Sequence, residues 1–492
     1  MATLNDYARR TPKVPWRRVA LAGLLLAAAI AAAWGLLHTP RSAAPRHVIL
    51  ISLDTTRADH LGCYGNTWIH TPHLDALAAE SILLTDYMTV VSTTLASHVS
   101  LFTGKYPHTH GVPRNGFVVH DDNVMLPEVL KAAGFHTAAF IGSFALDSRF
   151  NFAQGFEHFD AEFDMARGAG GVDQNQRRAQ AVTDAVLRHL DRHGVPDRLF
   201  LFVHYFDPHA PYDPPPPFDA LYSFGAGRAP PPDHPALARA RLPQALQARL
   251  WAYAGEVSYM DAQVGRLLDD LRRRGVLEQA LVIVTSDHGE NLGENPGVPF
   301  DHGWTVYQCD VHAVAMFRLP GGQHGGTRLD LPAASIDVLP TVLKYLALPV
   351  PTGVEGRAID LRRPPAQWPD RTRFGEATKP WHVEAESGWY NVPKARCVRD
   401  GPFKYVCAPA AGREQLFDLS SDPHEFRDLL GPLLPAPLAR AGELRARLDA
   451  WTAAARPLPT HFERQRGDET IRRLKAMGYL EDQAGSADEP EP

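Results

Sequence analysis

The chain has 492 residues, of which 45% are hydrophobic and 22% are charged, and its formal net charge at pH 7 is −6. This is an ordinary globular composition, and the length suits one large α/β domain followed by a smaller one. The acidic balance provides no basic surface for nucleic acid, so nucleic acid is excluded as an expected partner.

The N-terminal region has the pattern of a membrane anchor. Residues 19–37 carry no charge, and a helix of that length spans about 28 Å at ~1.5 Å per residue, close to the thickness of a bilayer core. Basic residues are dense before this stretch, whereas only Arg41 and Arg46 follow it closely. The positive-inside rule then keeps residues 1–18 in the cytoplasm and exports the rest of the chain. A signal peptide cleaved near Ala44 is the alternative.

Three apolar runs predict strands that are buried on both faces of a parallel sheet, and they cover residues 47–53, 198–204 and 280–285. Chemically capable polar residues follow each run, among them Asp54, Asp207 and Asp287. Helical patterns lie between the runs, for example over 182–193 and 257–274. This alternation predicts a doubly wound, mostly parallel α/β sheet flanked by helices. Ligands bind such sheets at the carboxyl ends of the strands, where these polar residues gather.

Changes in composition divide the exported part of the chain. Residues 362–372 are polar and rich in proline, and a boundary there gives a large domain over 46–365 and a smaller one over 371–455. Short strands followed by a helix predict an α+β fold with an antiparallel sheet for the smaller domain. Residues 456–492 are expected to form a C-terminal tail. Proline-rich sequence over 212–243 predicts a long surface loop near the ligand-binding edge.

Two of the four cysteines bracket a predicted hairpin. Cys397 and Cys407 flank two short strand patterns with Asp400, Gly401 and Pro402 between them. A hairpin centred there sets the two thiols nearly opposite each other, and in an oxidising compartment they could form a disulfide. Two unpaired strand cysteines are the alternative.

The segment that follows Thr93 predicts a helix with a hydroxyl at its start. Helical apolar spacing runs from Thr94 to Gly104, and glycine is a common helix terminator. Unpaired N–H groups and the helix dipole favour an anion at such an N-terminus. The Thr94 hydroxyl could attack a bound phosphate if a metal lowered its pKa. Threonine is also a good N-cap without any catalytic role, and for Thr94 alone that interpretation stays open.

Carboxylates and an imidazole at the predicted strand ends suggest a metal site. Asp54 ends the first strand, and Asp287 and His288 end a later one. Carboxylate and neutral imidazole suit Zn²⁺ or Mn²⁺ better than Ca²⁺ or Mg²⁺. A divalent metal is therefore the expected cofactor.

Several motifs in a fixed order resemble the sulfatase family of the alkaline phosphatase superfamily. They are Leu53–Gly65, Thr71–Asp75, Ser100–Gly111, Asp301–Gly303, Ile336–Thr341, Val398–Tyr405 and Leu416–Leu419. The similarity runs from about His47 to Leu480. The resemblance implies an alkaline phosphatase-like fold and a metal-dependent hydrolase or transferase of esters.

One position departs from the sulfatase pattern. Sulfatases carry Cys or Ser followed by x-Pro-x-Arg and convert it to formylglycine, whereas this chain has Thr94, Ala96 and His98 at those positions. Oxidation of a threonine gives a ketone instead of that aldehyde. The resemblance therefore implies a threonine nucleophile, as in nucleotide phosphodiesterases and phosphoethanolamine transferases, and phosphate esters, phosphodiesters foremost, as substrates. A sulfatase with an atypical nucleophile and an inactive binding homologue are the alternatives.

The same resemblance assigns roles to individual residues. The metal ligands are Asp54, Thr94, Asp287 and His288. The residues that assist catalysis are Asn115, His209 and His302, and the two histidines could also hold a second metal. The residues that bind substrate are His98, Asp207 and Lys105.

The expected partners follow from the anchor and the chemistry. We expect a single-pass protein of a bacterial inner membrane with its catalytic domain in the periplasm or outside the cell. A small-molecule, lipid or polysaccharide ester is the expected substrate. The sequence leaves the oligomeric state open.

Overall fold

The computed structural model describes residues 45–163, 175–222, 244–294, 300–363, 371–378, 395–431, 435–463 and 467–479. The predicted anchor and the predicted cytoplasmic segment before it lie outside these residues. Within the described ranges, no helix is both long enough and apolar enough to cross a bilayer. From Pro45 onward the chain forms one compact unit, and the domain boundary expected between 365 and 371 stays a prediction.

Among the described residues, eight strands form a mixed central sheet in the order β5-β4-β6-β1-β7-β8-β2-β9. The strands are β1 His47–Leu53, β2 Ile82–Leu84, β4 His136–Phe140, β5 His158–Asp160, β6 Leu199–Tyr205, β7 Ala280–Ser286, β8 Ala315–Arg318 and β9 Thr327–Leu329. Two short strands, β3 Tyr87–Met88 and β10 Ala333–Ala334, pair with each other in a separate sheet. Pairing is parallel from β5 across to β7, and β8 runs antiparallel to both of its neighbours. The predicted mostly parallel α/β sheet is confirmed.

Helices cover both faces of this sheet. The α-helices of the described residues, not all of which pack on this sheet, are α1 Pro72–Ala79, α2 Thr94–Thr103, α3 Pro107–His110, α4 Leu126–Ala132, α5 Ala179–His193, α6 Gln244–Arg273, α7 Gln308–Val311, α8 Val338–Leu346, α9 Pro435–Ala453 and α10 Gly467–Ala476. On β1, Val48 and Leu50 join the apolar core that contains α2 and α8, whereas Ile49 and Ile51 join the core that contains α5 and α6. Burial on both faces explains why β1 is an almost continuous apolar run.

A second, antiparallel sheet lies near the C-terminus, as predicted. Its strands, in spatial order, are β11 Arg373–Ala377, β12 Ala395–Asp400, β13 Phe403–Ala408 and β14 Arg413–Asp418. Val398, Tyr405 and Leu416 pack against helix α9 through Leu444 and Leu448. Helix α10 lies within the stretch that was expected to be a tail.

Of the two alternatives left open for Cys397 and Cys407, the structure has the unpaired thiols. Cys397 lies opposite Val406, one residue short of Cys407. Since successive side chains on a strand point to opposite faces, Cys397 joins the main core while Cys407 packs on the side of helix α9. The cause is the two-residue turn that pairs Asp400 with Phe403. It places the centre of the hairpin half a residue away from the midpoint between Cys397 and Cys407, so the two cysteines are not paired across the strands.

A cluster of histidines at the edge of the sheet predicts how stability changes in acid. The ring of His189 on α5 lies 4.2 Å from that of His158 and 4.8 Å from that of His193. Burial, followed by the charges of His158, His193 and His136, lowers the pKa of His189 from 6.5 to about 4. The unfolded chain takes up this proton near pH 6.5 and the folded chain only near pH 4, so stability falls as the pH drops through that window.

We therefore expect His189→Gln to flatten the loss of stability between pH 6.5 and 4. Urea unfolding at several pH values across this window measures the effect. His324→Gln, at an exposed loop position, is the control for loss of a single histidine. An unchanged slope in His189→Gln would contradict the prediction.

Candidate active site

Two neighbouring strands bring two aspartates to one edge of the central sheet. Leu53 at the end of β1 lies opposite Ser286 at the end of the parallel strand β7. Asp54 and Asp287 follow directly, so both carboxylates leave adjacent strands at the ligand-binding edge. The backbone N–H of Thr55 donates to Asp287 Oδ1 at 3.1 Å and ties the two strand ends together.

The two carboxylates and His288 fit a divalent ion. One ligand atom each from Asp54, Asp287 and His288 lies within 4.8 Å of the others, and all three residues are buried. Asp287 Oδ2 and His288 Nε2 are 3.4 Å apart; two ligands of a tetrahedral ion should be about 3.3 Å apart. Among the described residues, Asp54 Oδ1, Asp287 Oδ2 and His288 Nε2 have no hydrogen-bond partner. Their chemistry leaves the choice between Zn²⁺ and Mn²⁺ open.

The electrostatics of this cluster favour a cation. Burial raises the pKa of Asp54 well above its usual range, although His302 and the nearby Thr94 hydroxyl act in the opposite direction. Burial and the charge on Asp54 likewise raise the pKa of Asp287. Burial lowers the pKa of His288 and keeps its imidazole in the neutral form that binds metals. A bound cation would turn the repulsion between the carboxylates into attraction.

Helix α2 begins at the predicted nucleophile. Thr94 is fully buried, and its hydroxyl lies close enough to Asp54 to lower the pKa of that carboxyl, so it stands near the candidate metal ligands. The N–H groups of the first helical turn and the helix dipole favour an anion at the same point. The structure thus brings together a hydroxyl, an anion-binding helix terminus and a candidate metal centre.

Asn115 lies at the same helix terminus. Its Oδ1 accepts a hydrogen bond from the backbone N–H of Leu95 at 2.7 Å. The side chain is buried, and Nδ2 has no hydrogen-bond partner among the described residues. A buried amide donor beside Thr94 is suited to an oxygen of a bound oxyanion.

His209 and His302 stand beside the metal-ligand cluster. The ring of His302 lies 4.4 Å from that of His288 and 5.1 Å from that of His209. His302 Nδ1 is 3.1 Å from Glu290 Oε1, and His209 Nδ1 donates to the carbonyl of Ala210 at 2.7 Å. These contacts orient both rings and leave Nε2 as the atom that could exchange a proton with a bound ester.

The three side chains assigned to substrate binding lie in different places. His98 is buried under the site, where Nδ1 donates to the carbonyl of Thr94 at 2.7 Å and Nε2 accepts from Ser52 Oγ at 2.8 Å. Both of its ring nitrogens therefore bind protein atoms. Lys105 follows the far end of α2, about 16 Å along the helix from Thr94 at ~1.5 Å per residue. The structure does not bring Lys105 to the nucleophile.

Asp207 lies close to His209 in the chain but holds a helix in place. Its Oδ2 accepts from the backbone N–H of Ala179, the first residue of α5, at 2.7 Å. Burial raises the pKa of Asp207 to about 6. The roles of His98, Lys105 and Asp207 in binding substrate stay predictions.

Comparison with known proteins gives the family. The sulfatase family profile matches residues 46–348. The chain belongs to the sulfatase family. An ulvan-active sulfatase from Formosa agariphila is 27% identical over 406 residues, which are 78% of this chain and 77% of that protein. A multifunctional alkaline phosphatase superfamily protein from Trinickia caryophylli is 24% identical over 491 residues, covering 80% of this chain and 93% of its own length.

The fold of this sulfatase-family protein is also that of solved relatives. The phosphonate monoester hydrolase from Silicibacter pomeroyi superposes with a TM-score of 0.67 at 23% identity, over 83% of this chain and 96% of its own. Membership makes the protein an enzyme of the sulfatase and alkaline phosphatase superfamily, in which sulfatases are metal-dependent hydrolases.

Sequence reasoning missed three side chains of this sulfatase-family site. His204 Nε2 lies 3.2 Å from Asp54 Oδ2, and the pairing of β6 with β1 could have revealed it. Glu290 follows Asp287 by three residues and contacts His302. Tyr479 reaches the nucleophile from the other end of the chain, and no sequence pattern indicated it.

Proposed function

We propose that this protein is a metal-dependent hydrolase or transferase of phosphate esters, phosphodiesters foremost, with Thr94 as its nucleophile. The observation that carries the proposal is the position of the Thr94 hydroxyl. It is buried at the first turn of α2, where it lowers the pKa of Asp54, and Asp54 clusters with Asp287 and His288. Because a threonine does not yield formylglycine, the hydroxyl itself is the group available for attack.

The candidate metal ligands and Thr94 carry out the first step, the attack on phosphorus. A divalent ion held by Asp54, Asp287 and His288 would supply a Lewis acid and lower the pKa of the Thr94 hydroxyl. Thr94 Oγ1 forms a bond to phosphorus as the bond from phosphorus to the leaving oxygen breaks, which leaves a covalent phosphothreonine.

The surrounding residues stabilise charge and move protons. Nδ2 of Asn115 donates to a non-bridging oxygen, whose charge grows in the transition state, and the dipole of α2 stabilises the same charge. His209 or His302 supplies a proton to the leaving oxygen. Water or an alcohol then releases the phosphoryl group, and the identity of that acceptor separates a hydrolase from a transferase.

The anchor is part of the proposal. The uncharged stretch over 19–37, with basic residues before it, supports a single pass through a bacterial inner membrane and a catalytic domain on the periplasmic side. A lipid headgroup or envelope polysaccharide ester would then be the nearest substrate. Protease digestion of spheroplasts should degrade the catalytic domain; full protection until lysis would contradict this placement.

A sulfate ester is the second candidate substrate. It is favoured by the family profile and by the ulvan-active relative. Hydrolysis of a sulfate ester would require Thr94 to act as the nucleophile without conversion to formylglycine.

A panel of esters with one leaving group separates these candidates. Full-length protein is assayed with bis(p-nitrophenyl) phosphate, p-nitrophenyl phenylphosphonate and p-nitrophenyl sulfate, with Mn²⁺ or Zn²⁺ and after chelation. We expect kcat/KM for the diester to exceed that for the sulfate by at least about 100-fold, or ~2.7 kcal/mol of transition-state discrimination. Chelation should remove the activity. A preference for the sulfate would establish the second candidate, and inactivity toward all three would favour an inactive homologue.

A further inference from the structure

The last described segment of the chain reaches the nucleophile. Tyr479 follows helix α10 by three residues, and its side chain is only 5% exposed. The phenolic oxygen lies 3.2 Å from Thr94 Oγ1 and 3.2 Å from His209 Nε2. This single oxygen therefore links the hydroxyl of Thr94 to the imidazole of His209.

Packing holds this tyrosine in place. The Tyr479 N–H donates to the carbonyl of Leu474 at 2.9 Å, and Leu474 is completely buried. Arg473 Nε donates to Asn175 Oδ1 at 2.6 Å, and its guanidinium lies 3.8 Å from the centre of the Phe144 ring. These contacts fix both ends of the last turn, so the position of the phenol is determined by the fold.

The donors and acceptors give the hydrogen-bond chain a direction. His209 Nδ1 bonds to the carbonyl of Ala210, and a carbonyl can only accept, so Nδ1 carries a hydrogen. In a neutral imidazole Nε2 is then the acceptor, and Tyr479 donates to it. The phenolic oxygen keeps a lone pair for the hydroxyl of Thr94. The chain runs from Thr94 through Tyr479 to His209.

We propose that Tyr479 is a catalytic residue that carries the proton of the nucleophile to His209. As Thr94 Oγ1 bonds to phosphorus, its proton passes to the phenolic oxygen, and the phenolic proton passes to His209 Nε2. His209 then gives that proton to the leaving oxygen as its bond to phosphorus breaks. Tyr479 ends the step neutral, and no proton is lost to solvent. The inference rests on the proposed role of Thr94 as nucleophile.

The test removes only the phenolic oxygen. In full-length Tyr479→Phe we expect kcat to fall about 100-fold, within the usual contribution of a positioned proton-transfer group, with KM changed less than about threefold. Metal affinity by titration calorimetry and the thermal midpoint should stay near wild type. Tyr405→Phe is the matched control, because Tyr405 is also buried and accepts from Arg445 Nε at 3.0 Å, in the C-terminal sheet.

A double variant separates proton relay from structural support. His209→Gln keeps an acceptor but cannot carry the proton, so we expect it to lose about as much kcat as Tyr479→Phe. Since the two residues act in one chain, the double variant should lose no more than about threefold beyond either single variant. Independent, multiplicative losses would overturn the relay even if Tyr479→Phe alone proved unstable.

Three other results with Tyr479→Phe would count against the proton relay. Unchanged kcat in Tyr479→Phe overturns the inference, and a raised kcat/KM means that Tyr479 blocks the site. A loss of metal affinity together with kcat means that it only supports the fold. The variants are compared on whichever ester the wild type turns over, so wild-type activity toward sulfate alone defeats the proposed substrate class and leaves the relay testable.

Discussion

Replacing Thr94 with alanine is expected to lower kcat by at least about 10⁴-fold, because loss of a nucleophile removes the whole covalent path. Thr94 is buried and small, so the change should cost little stability. Its carbonyl still accepts from His98, which preserves the first turn of α2. The measurement is kcat on the best ester of the panel, together with mass spectrometry of acid-quenched protein for a phosphate on Thr94.

Thr94→Ser is the matched control for this prediction. It keeps the hydroxyl at the helix terminus and removes only a methyl group. We expect it to retain turnover within about tenfold and to form the covalent intermediate, as an intact nucleophile requires. Activity that survives Thr94→Ala would show that another group attacks, and activity lost equally in both variants would point to a disturbed fold.

Replacing Asp287 with asparagine should have opposite effects on metal affinity and on metal-free stability. Asparagine keeps Oδ1 for the N–H groups of Thr55 and His288 but removes the charge beside Asp54. We expect metal affinity to fall by at least about 100-fold, since the lost ligand is anionic. The metal-free protein should melt about 2 °C higher, because two buried carboxylates no longer repel each other.

The measurements are titration calorimetry with Mn²⁺ or Zn²⁺ and thermal unfolding with and without a chelator. Asp261→Asn serves as control. Its two oxygens accept from the N–H groups of Leu74 and His73 at 2.8 and 3.2 Å, so asparagine loses one bond. This variant should melt lower and bind metal normally. An Asp287→Asn protein that keeps wild-type metal affinity would remove Asp287 from the ligand set.

The part of the site that the sequence predicted depends on local patterns. Strands β1 and β7 are recognisable as apolar runs, and a parallel sheet places the residues that follow them at one edge. Asp54, Asp287 and His288 could therefore be grouped from the order of residues alone. Thr94 could be added because helical spacing begins there.

Errors arose where geometry depends on residue-level register or distance. The hairpin of β12 and β13 is off by one residue, and one residue moves a side chain to the other face of a sheet. The motif that contains Lys105 begins near Thr94, but the length of α2 separates the two residues, and the role of Lys105 in binding substrate stays a prediction. Helix α6 begins at Gln244, well before the predicted start at 257.

Tyr479 could not have been predicted, because it lies 385 residues beyond Thr94 and its place depends on how α10 packs. That separation has a consequence for biosynthesis. At about 5–20 residues per second, the ribosome makes the nucleophile roughly 20–80 s before it makes this tyrosine. Every nascent chain that extends past His288 already contains the candidate metal ligands. Chains that terminate between His288 and Tyr479 would thus keep the candidate metal ligands yet lack the phenol of Tyr479.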